Sequence, residues 1–127
     1  MIIEATENLV EAGRGSDSMS MDIGNGKEVE AVRAYYVFEL KILKELDDLY
    51  AKNALAHRHN KPFQECVVKS GDVEVPCYLT SWQYAKDSTK RRYRFVSTQH
   101  YLNEIPIRSK EHGLSIVLQP AIAPVET

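Results

Sequence analysis

Asn25-Gly26-Lys27-Glu28-Val29-Glu30-Ala31-Val32-Arg33-Ala34-Tyr35-Tyr36-Val37-Phe38-Glu39-Leu40-Lys41-Ile42-Leu43 runs without interruption into Lys44-Glu45-Leu46-Asp47-Asp48-Leu49-Tyr50. Val29, Val32, Tyr35, Tyr36, Leu40, Leu43, Leu46 and Tyr50 recur at three- and four-residue steps, the spacing of one helix face. Asn25 stands where its side chain can accept from first-turn amides, and Glu28 three residues on completes a capping box. The spacing predicts one long helix from near Gly26 to about Leu55, ahead of Pro62. At 1.5 Å per residue that helix measures about 45 Å, more than so small a domain is wide. Val37, Phe38, Ile42 and Leu49 broaden its apolar face, which one sheet covers or which a second copy of the chain shares.

Beyond Pro62 the apolar period falls from near 3.6 to 2, as it does where strands replace helix. Gly71-Asp72 suits a two-residue type II′ turn, pairing Ser70 with Val73, Val68 with Val75 and Cys66 with Cys77. Val73, Val75, Cys77 and Leu79 then share a face with Val68 and Cys66. Pro76 falls at a non-hydrogen-bonded site with its missing donor turned outward, which marks that stretch as a sheet edge. A second hairpin is expected at Asp87-Ser88-Thr89-Lys90, with Tyr84 opposite Tyr93 and Trp82 opposite Phe95. The inward residues before Thr80 are odd-numbered, whereas Trp82 and Tyr84 are even-numbered. Either a bulge near Thr80-Ser81 flips the strand or these aromatics lie on the other face. Leu114-Ser115-Ile116-Val117-Leu118 reads as a further strand, and Pro120 and Pro124 favour an extended C-terminal tail.

Before the long segment, residues 13–26 hold four of the six glycines and three serines, the composition of a linker. A short helix over about residues 5–12 precedes it. Residues 1–26 are therefore read as an N-terminal arm and flexible linker, and residues 27–127 as a single α+β domain. The full chain, 127 residues at 43% hydrophobic and 27% charged, is long enough for a core without disulfide or metal staples. Its apolar runs are too short for a membrane-spanning helix. The first residues lack the pattern of a secretory signal, and two cysteines make no disulfide framework, so a cytoplasmic location is expected. Acids outnumber bases 11 to 7 over residues 1–60, and bases outnumber acids 9 to 7 over residues 61–127. That asymmetry is too small to argue a polyanion partner, so any such claim needs a local patch.

One patch qualifies. The second hairpin gathers Lys86, Lys90, Arg91, Arg92 and Arg94 against Asp87, with Trp82, Tyr84, Tyr93 and Phe95 interleaved. Cations with flat rings suit single-stranded nucleic acid, and guanidinium groups with tyrosines suit protein interfaces equally well. Simple alternation, rings inward and arginines outward, produces the same composition with no ligand. Other constellations carry less. His57-Arg58-His59 has the wrong spacing for a helical zinc pair. Ser97, His100 and Glu104 share one segment with no nucleophile elbow. Gly24-Asn25-Gly26 lacks the Lys-Ser/Thr of a phosphate loop. Glu45, Asp47 and Asp48 read as a solvated helix face.

The sequence therefore points to an α+β fold in which one long helix packs on a small antiparallel sheet of hairpins. Its expected function is non-enzymatic binding or assembly, through recognition of an acidic protein surface or self-association. The residues nominated for partner contact are Trp82, Tyr84, Lys86, Lys90, Arg91, Arg92, Tyr93 and Arg94. Binding of single-stranded nucleic acid by the same hairpin is the alternative, and a small enzyme of unknown class the third. No catalytic residue, metal or cofactor is nominated, and no membrane partner.

Overall fold

Asn25 and Gly26 adopt φ of 56° and 71°, and the Lys27 N–H donates to the Gly24 carbonyl at 3.1 Å. Positive φ at both central residues is the signature of a type I′ turn, whose twist matches two antiparallel strands. Asn25-Gly26 thus closes a hairpin where the sequence reading expects a helix cap. The computed structural model describes residues 2–4, 9–22, 24–102, 105–107 and 114–118. Their elements are β1 (Ile2–Glu4), β2 (Leu9–Asp22), β3 (Glu28–Lys41), α1 (Lys44–Arg58), β4 (Cys66–Ser70), β5 (Val73–Tyr84), β6 (Lys90–Leu102) and β7 (Leu114–Leu118). All seven strands join one antiparallel sheet in the order β1-β7-β4-β5-β6-β3-β2, which with α1 makes the fold α+β.

The expected long helix divides into a 14-residue strand, β3, and a 15-residue helix, α1. The reason is local chemistry. Residues 28–41 are dense in Val, Tyr and Phe, which pack well on a pleated surface, while 44–58 are built of Leu, Ala, Lys and acids with no β-branched residue. Ala34, Tyr36, Phe38 and Leu40 are buried and the odd positions between them only half-buried, a period of 2. The helix ends in a Schellman arrangement: Asn60 takes φ 53°, and the Lys61 N–H reaches the Ala56 carbonyl at 2.8 Å just before Pro62. At about 22 Å, α1 no longer exceeds the domain, and the length argument for a second copy lapses.

The N-terminal linker is corrected as well. Leu9–Asp22 is strand, paired along β3 through Gly13↔Tyr35 and Met21↔Val29, with irregularities at Leu9/Glu11 and Arg14/Ser18. Gly13 is there because the Tyr35 ring lies across it: a Cβ at Gly13 would meet the Tyr35 hydroxyl at 2.9 Å. Residues 9–12 belong to this strand instead of a helix, and 5–8 lie outside the described residues.

The β4–β5 hairpin has the expected register, Ser70↔Val73, Val68↔Val75 and Cys66↔Cys77, with φ 59° at Gly71. Cys66, Val68, Val75, Cys77 and Leu79 are all fully buried. β6 pairs with β5 only from Cys77 onward, and among the described residues no strand pairs with β5 around Pro76 on that side, where the proline has no donor to give. β7 joins the sheet beside β4. The β5–β6 register differs from the expected one: Tyr84 pairs with Arg91 and Trp82 with Tyr93. An irregularity between Leu79 and Ser81 is a bulge, the first of the two resolutions of the parity conflict, and it turns Trp82 and Tyr84 onto the face of Tyr93. That face carries the core, where Tyr36, Phe38, Tyr93 and Phe95 meet Leu46 and Leu49 of α1. The 119–127 tail lies outside the described residues, within which no helix is long and apolar enough to cross a membrane.

Candidate functional site

The nominated hairpin does not present its eight residues alike. Tyr93 has no exposed surface and belongs to the core, so it is withdrawn as a partner contact. Its position follows from pairing with Phe38 on one side and Trp82 on the other. Its hydroxyl donates to Asp47 Oδ1 at 3.3 Å. Burial, then the neighbouring Asp47 carboxylate, push the phenol's pKa up.

Arg91 lies on the same face. Its Nη1 donates to Asp47 Oδ1 at 2.7 Å, and its guanidinium carbon sits 4.1 Å from the centre of the Trp82 ring. Trp82 is partly buried against the core, and Tyr84 stands edge-on to it at 5.0 Å. The series Asp47, Arg91, Trp82, Tyr84 therefore leads from the helix N-terminus to the hairpin tip, and Tyr84 at its end is 84% exposed. Such stacking on an ion-paired guanidinium holds the indole in place.

On the opposite face, Arg92 Nε donates to Glu39 Oε1 at 3.3 Å, and Arg94 stacks over Tyr35 at 4.4 Å. The Tyr35 hydroxyl donates to Glu11, which raises the pKa of that phenol. All three arginines of the patch are thus engaged within the chain. Lys86 is exposed and Lys90 half-buried. The tip between them is set by Asp87, whose Oδ1 accepts from the Thr89 N–H and hydroxyl, while the Lys90 N–H bonds the Asp87 carbonyl. Those two Thr89 hydrogen bonds hold the Asp87 carboxyl below its usual pKa.

Beside this site the free flank of β5 meets α1. Asn53, buried, donates from Nδ2 to the Leu79 carbonyl at 3.1 Å and accepts from the Gln64 N–H at 2.9 Å. Around it opens a cleft of about 380 Å³, lined by Tyr50, Asn53, Ala54, His57, Phe63, Leu79 and Thr80. Phe63 packs edge-on against Tyr78 at 5.3 Å. Asp47, expected on a solvated helix face, is half-buried against Arg91, and the sequence gives no sign of the roles of Glu39 and Asn53 or of this cleft.

Comparison adds no relative. No family model matches the chain, and no curated protein or solved structure matches it.

The remaining constellations stay apart or occupied. Ser97 is buried, accepting from the Ala34 N–H at 2.9 Å and donating to the Gln99 carbonyl at 2.7 Å. His57 and His59 are exposed at the end of α1, whereas Cys66 and Cys77 are buried free thiols in the sheet. Burial pushes Cys66 up to about 12 and raises Cys77 also. Neither thiol is a ready nucleophile at neutral pH.

Proposed function

We propose that the chain is a non-enzymatic binding protein that recognises an acidic protein surface through the tip of the β5–β6 hairpin, with Tyr84 and Trp82 as ring contacts and Lys86 and Lys90 as cations. One observation carries this reading: a tyrosine 84% exposed yet held edge-on by a partly buried tryptophan. A large ring left in solvent beside a rigid neighbour is the composition of an interface anchor. Arg91, Arg92 and Arg94 serve this surface indirectly, by fixing Trp82, Glu39 and Tyr35. With Asp47 and Glu39 already countering two of the guanidinium charges, the patch suits a modestly acidic polypeptide better than a polyphosphate.

Trp82 is the sole tryptophan, so its fluorescence reports the site directly. Titration with poly-glutamate and with a single-stranded oligonucleotide, each at two salt concentrations, tests the proposal. The polypeptide binds and Tyr84→Ala weakens it about tenfold, the scale of one interface anchor. Tight oligonucleotide binding that falls steeply with salt would replace this reading with the nucleic-acid one. Unchanged binding in Tyr84→Ala would remove the hairpin tip from either.

A further inference from the structure

We infer that the open flank of β5 at Trp82 and Tyr84 receives an extended acidic segment of a partner polypeptide as an added antiparallel strand, with an apolar side chain of that segment entering the cleft beside α1. The inference rests on the proposed function and specifies its mode. β4 leaves β5 at Cys66↔Cys77, and β6 covers the other side from Cys77 to Tyr84. In an antiparallel pair successive residues direct their N–H and C=O alternately to the two sides. Cys77 bonds toward β4, so Leu79 also points to that flank, and its carbonyl is met there by Asn53. Past the bulge, Ser81 and Gln83 pair toward β6, which turns the backbone groups of Trp82 and Tyr84 outward. Among the described residues no strand pairs with them on that side.

The surroundings name the occupant. Unpaired backbone donors and acceptors at every second residue call for another extended backbone. A residue directly opposite Trp82 or Tyr84 places its side chain on the same face, where the apolar cleft opens next to Thr80. Exposed cations stand near its two ends: Arg58 lies one turn beyond Ala54 on α1 with Lys61 after it, and Lys86, next to Asp87, follows Tyr84 at the other. Backbone pairing at the centre, one apolar pocket and cations at both ends fit an acidic strand with alternating apolar residues.

The probe is a capped heptapeptide, Glu-Val-Glu-Val-Glu-Val-Glu, read by Trp82 fluorescence and by hydrogen exchange. In the proposed register the valines face the cleft, and their amides point at β5. N-methylation of the valines weakens binding at least tenfold, whereas N-methylation of the glutamates leaves it within about twofold. On peptide binding the Trp82 and Tyr84 amides exchange at least tenfold more slowly, and the Gln83 amide, already paired to β6, does not change. If both methylated peptides bind like the parent while Tyr84→Ala abolishes binding, strand addition is overturned and surface recognition stands. If the parent peptide fails to bind at millimolar concentration although poly-glutamate binds at the hairpin, strand addition is likewise overturned. Failure of Tyr84→Ala to affect either ligand overturns the recognition reading itself.

Discussion

Asn53 does for Leu79 what a neighbouring strand does elsewhere in the sheet: its amide supplies a donor to the strand carbonyl and an acceptor to the Gln64 N–H, locking helix, loop and strand together. Removing it strands the buried Leu79 carbonyl, at about 1–3 kcal/mol where solvent does not replace the bond, and takes one acceptor from the half-buried Gln64 N–H. Asn53→Ala lowers the urea midpoint accordingly with little change in slope, and a loss within about 0.5 kcal/mol would mean that water takes over both roles. Asn53 is a polar residue on a helix face that otherwise buries leucines, and nothing about its neighbours in sequence gives away its partners. The same holds for the arginines of the hairpin. Their abundance is visible in the sequence, but Asp47 and Glu39, which hold Arg91 and Arg92, stand 44 and 53 positions away. Cationic composition was legible; which cations remain unsatisfied was decided by pairings between distant strands.

At the scale of elements, the clearest experiment is one in which strand and helix make opposite predictions. Gly26 sits at φ 71° with open space where a Cβ would stand, so Gly26→Ala meets only backbone strain, roughly 1–2 kcal/mol of destabilisation. Were the segment helical, the same change would stabilise the protein by up to about 1 kcal/mol. Thermal melts of the variant give the sign. The β4–β5 hairpin was legible to the residue because a two-residue turn leaves no choice of register. The β3 segment was not, because Tyr36 and Leu40 satisfy a four-residue step and a two-residue step alike. What separates the two periods is Phe38 between them, together with an Asn-Gly pair that serves hairpins better than caps. The β5–β6 register differs by two from the expected one: the Lys90 N–H closes on the Asp87 carbonyl, and Tyr84 meets Arg91 in place of the expected Tyr93, so the connection is longer than the four-residue turn read from the sequence. Parity marked the irregularity near Thr80 but left a bulge and an opposite-face placement equally open, and the pairing of Trp82 with Tyr93 decides for the bulge.

For the molecule as a whole, burial of acids that stay protonated in the fold makes stability depend on alkaline pH. Cys66 ordinarily titrates at 9.0 and is pushed up to about 12 here, chiefly by burial; Cys77 moves the same way. Their contribution is complete below about pH 9. As pH rises toward the folded-state value the unfolded chain sheds its thiol protons first, and each group then removes up to about 1.4 kcal/mol per pH unit. Urea midpoints therefore fall between pH 9 and the folded-state value, and the Cys66→Ala/Cys77→Ala double variant shows a flatter decline. Equal slopes in the two proteins would assign the loss to the buried tyrosines instead, among which burial also raises Tyr36. The strand order has a further consequence for how the protein is made. Because β7 is inserted between β1 and β4, residues 114–118 are the last of the sheet to leave the ribosome, yet they bridge two strands translated long before. A nascent chain that has not yet released them carries bare ribbon edges on both β1 and β4, the species most open to capture by a neighbouring nascent chain or a chaperone.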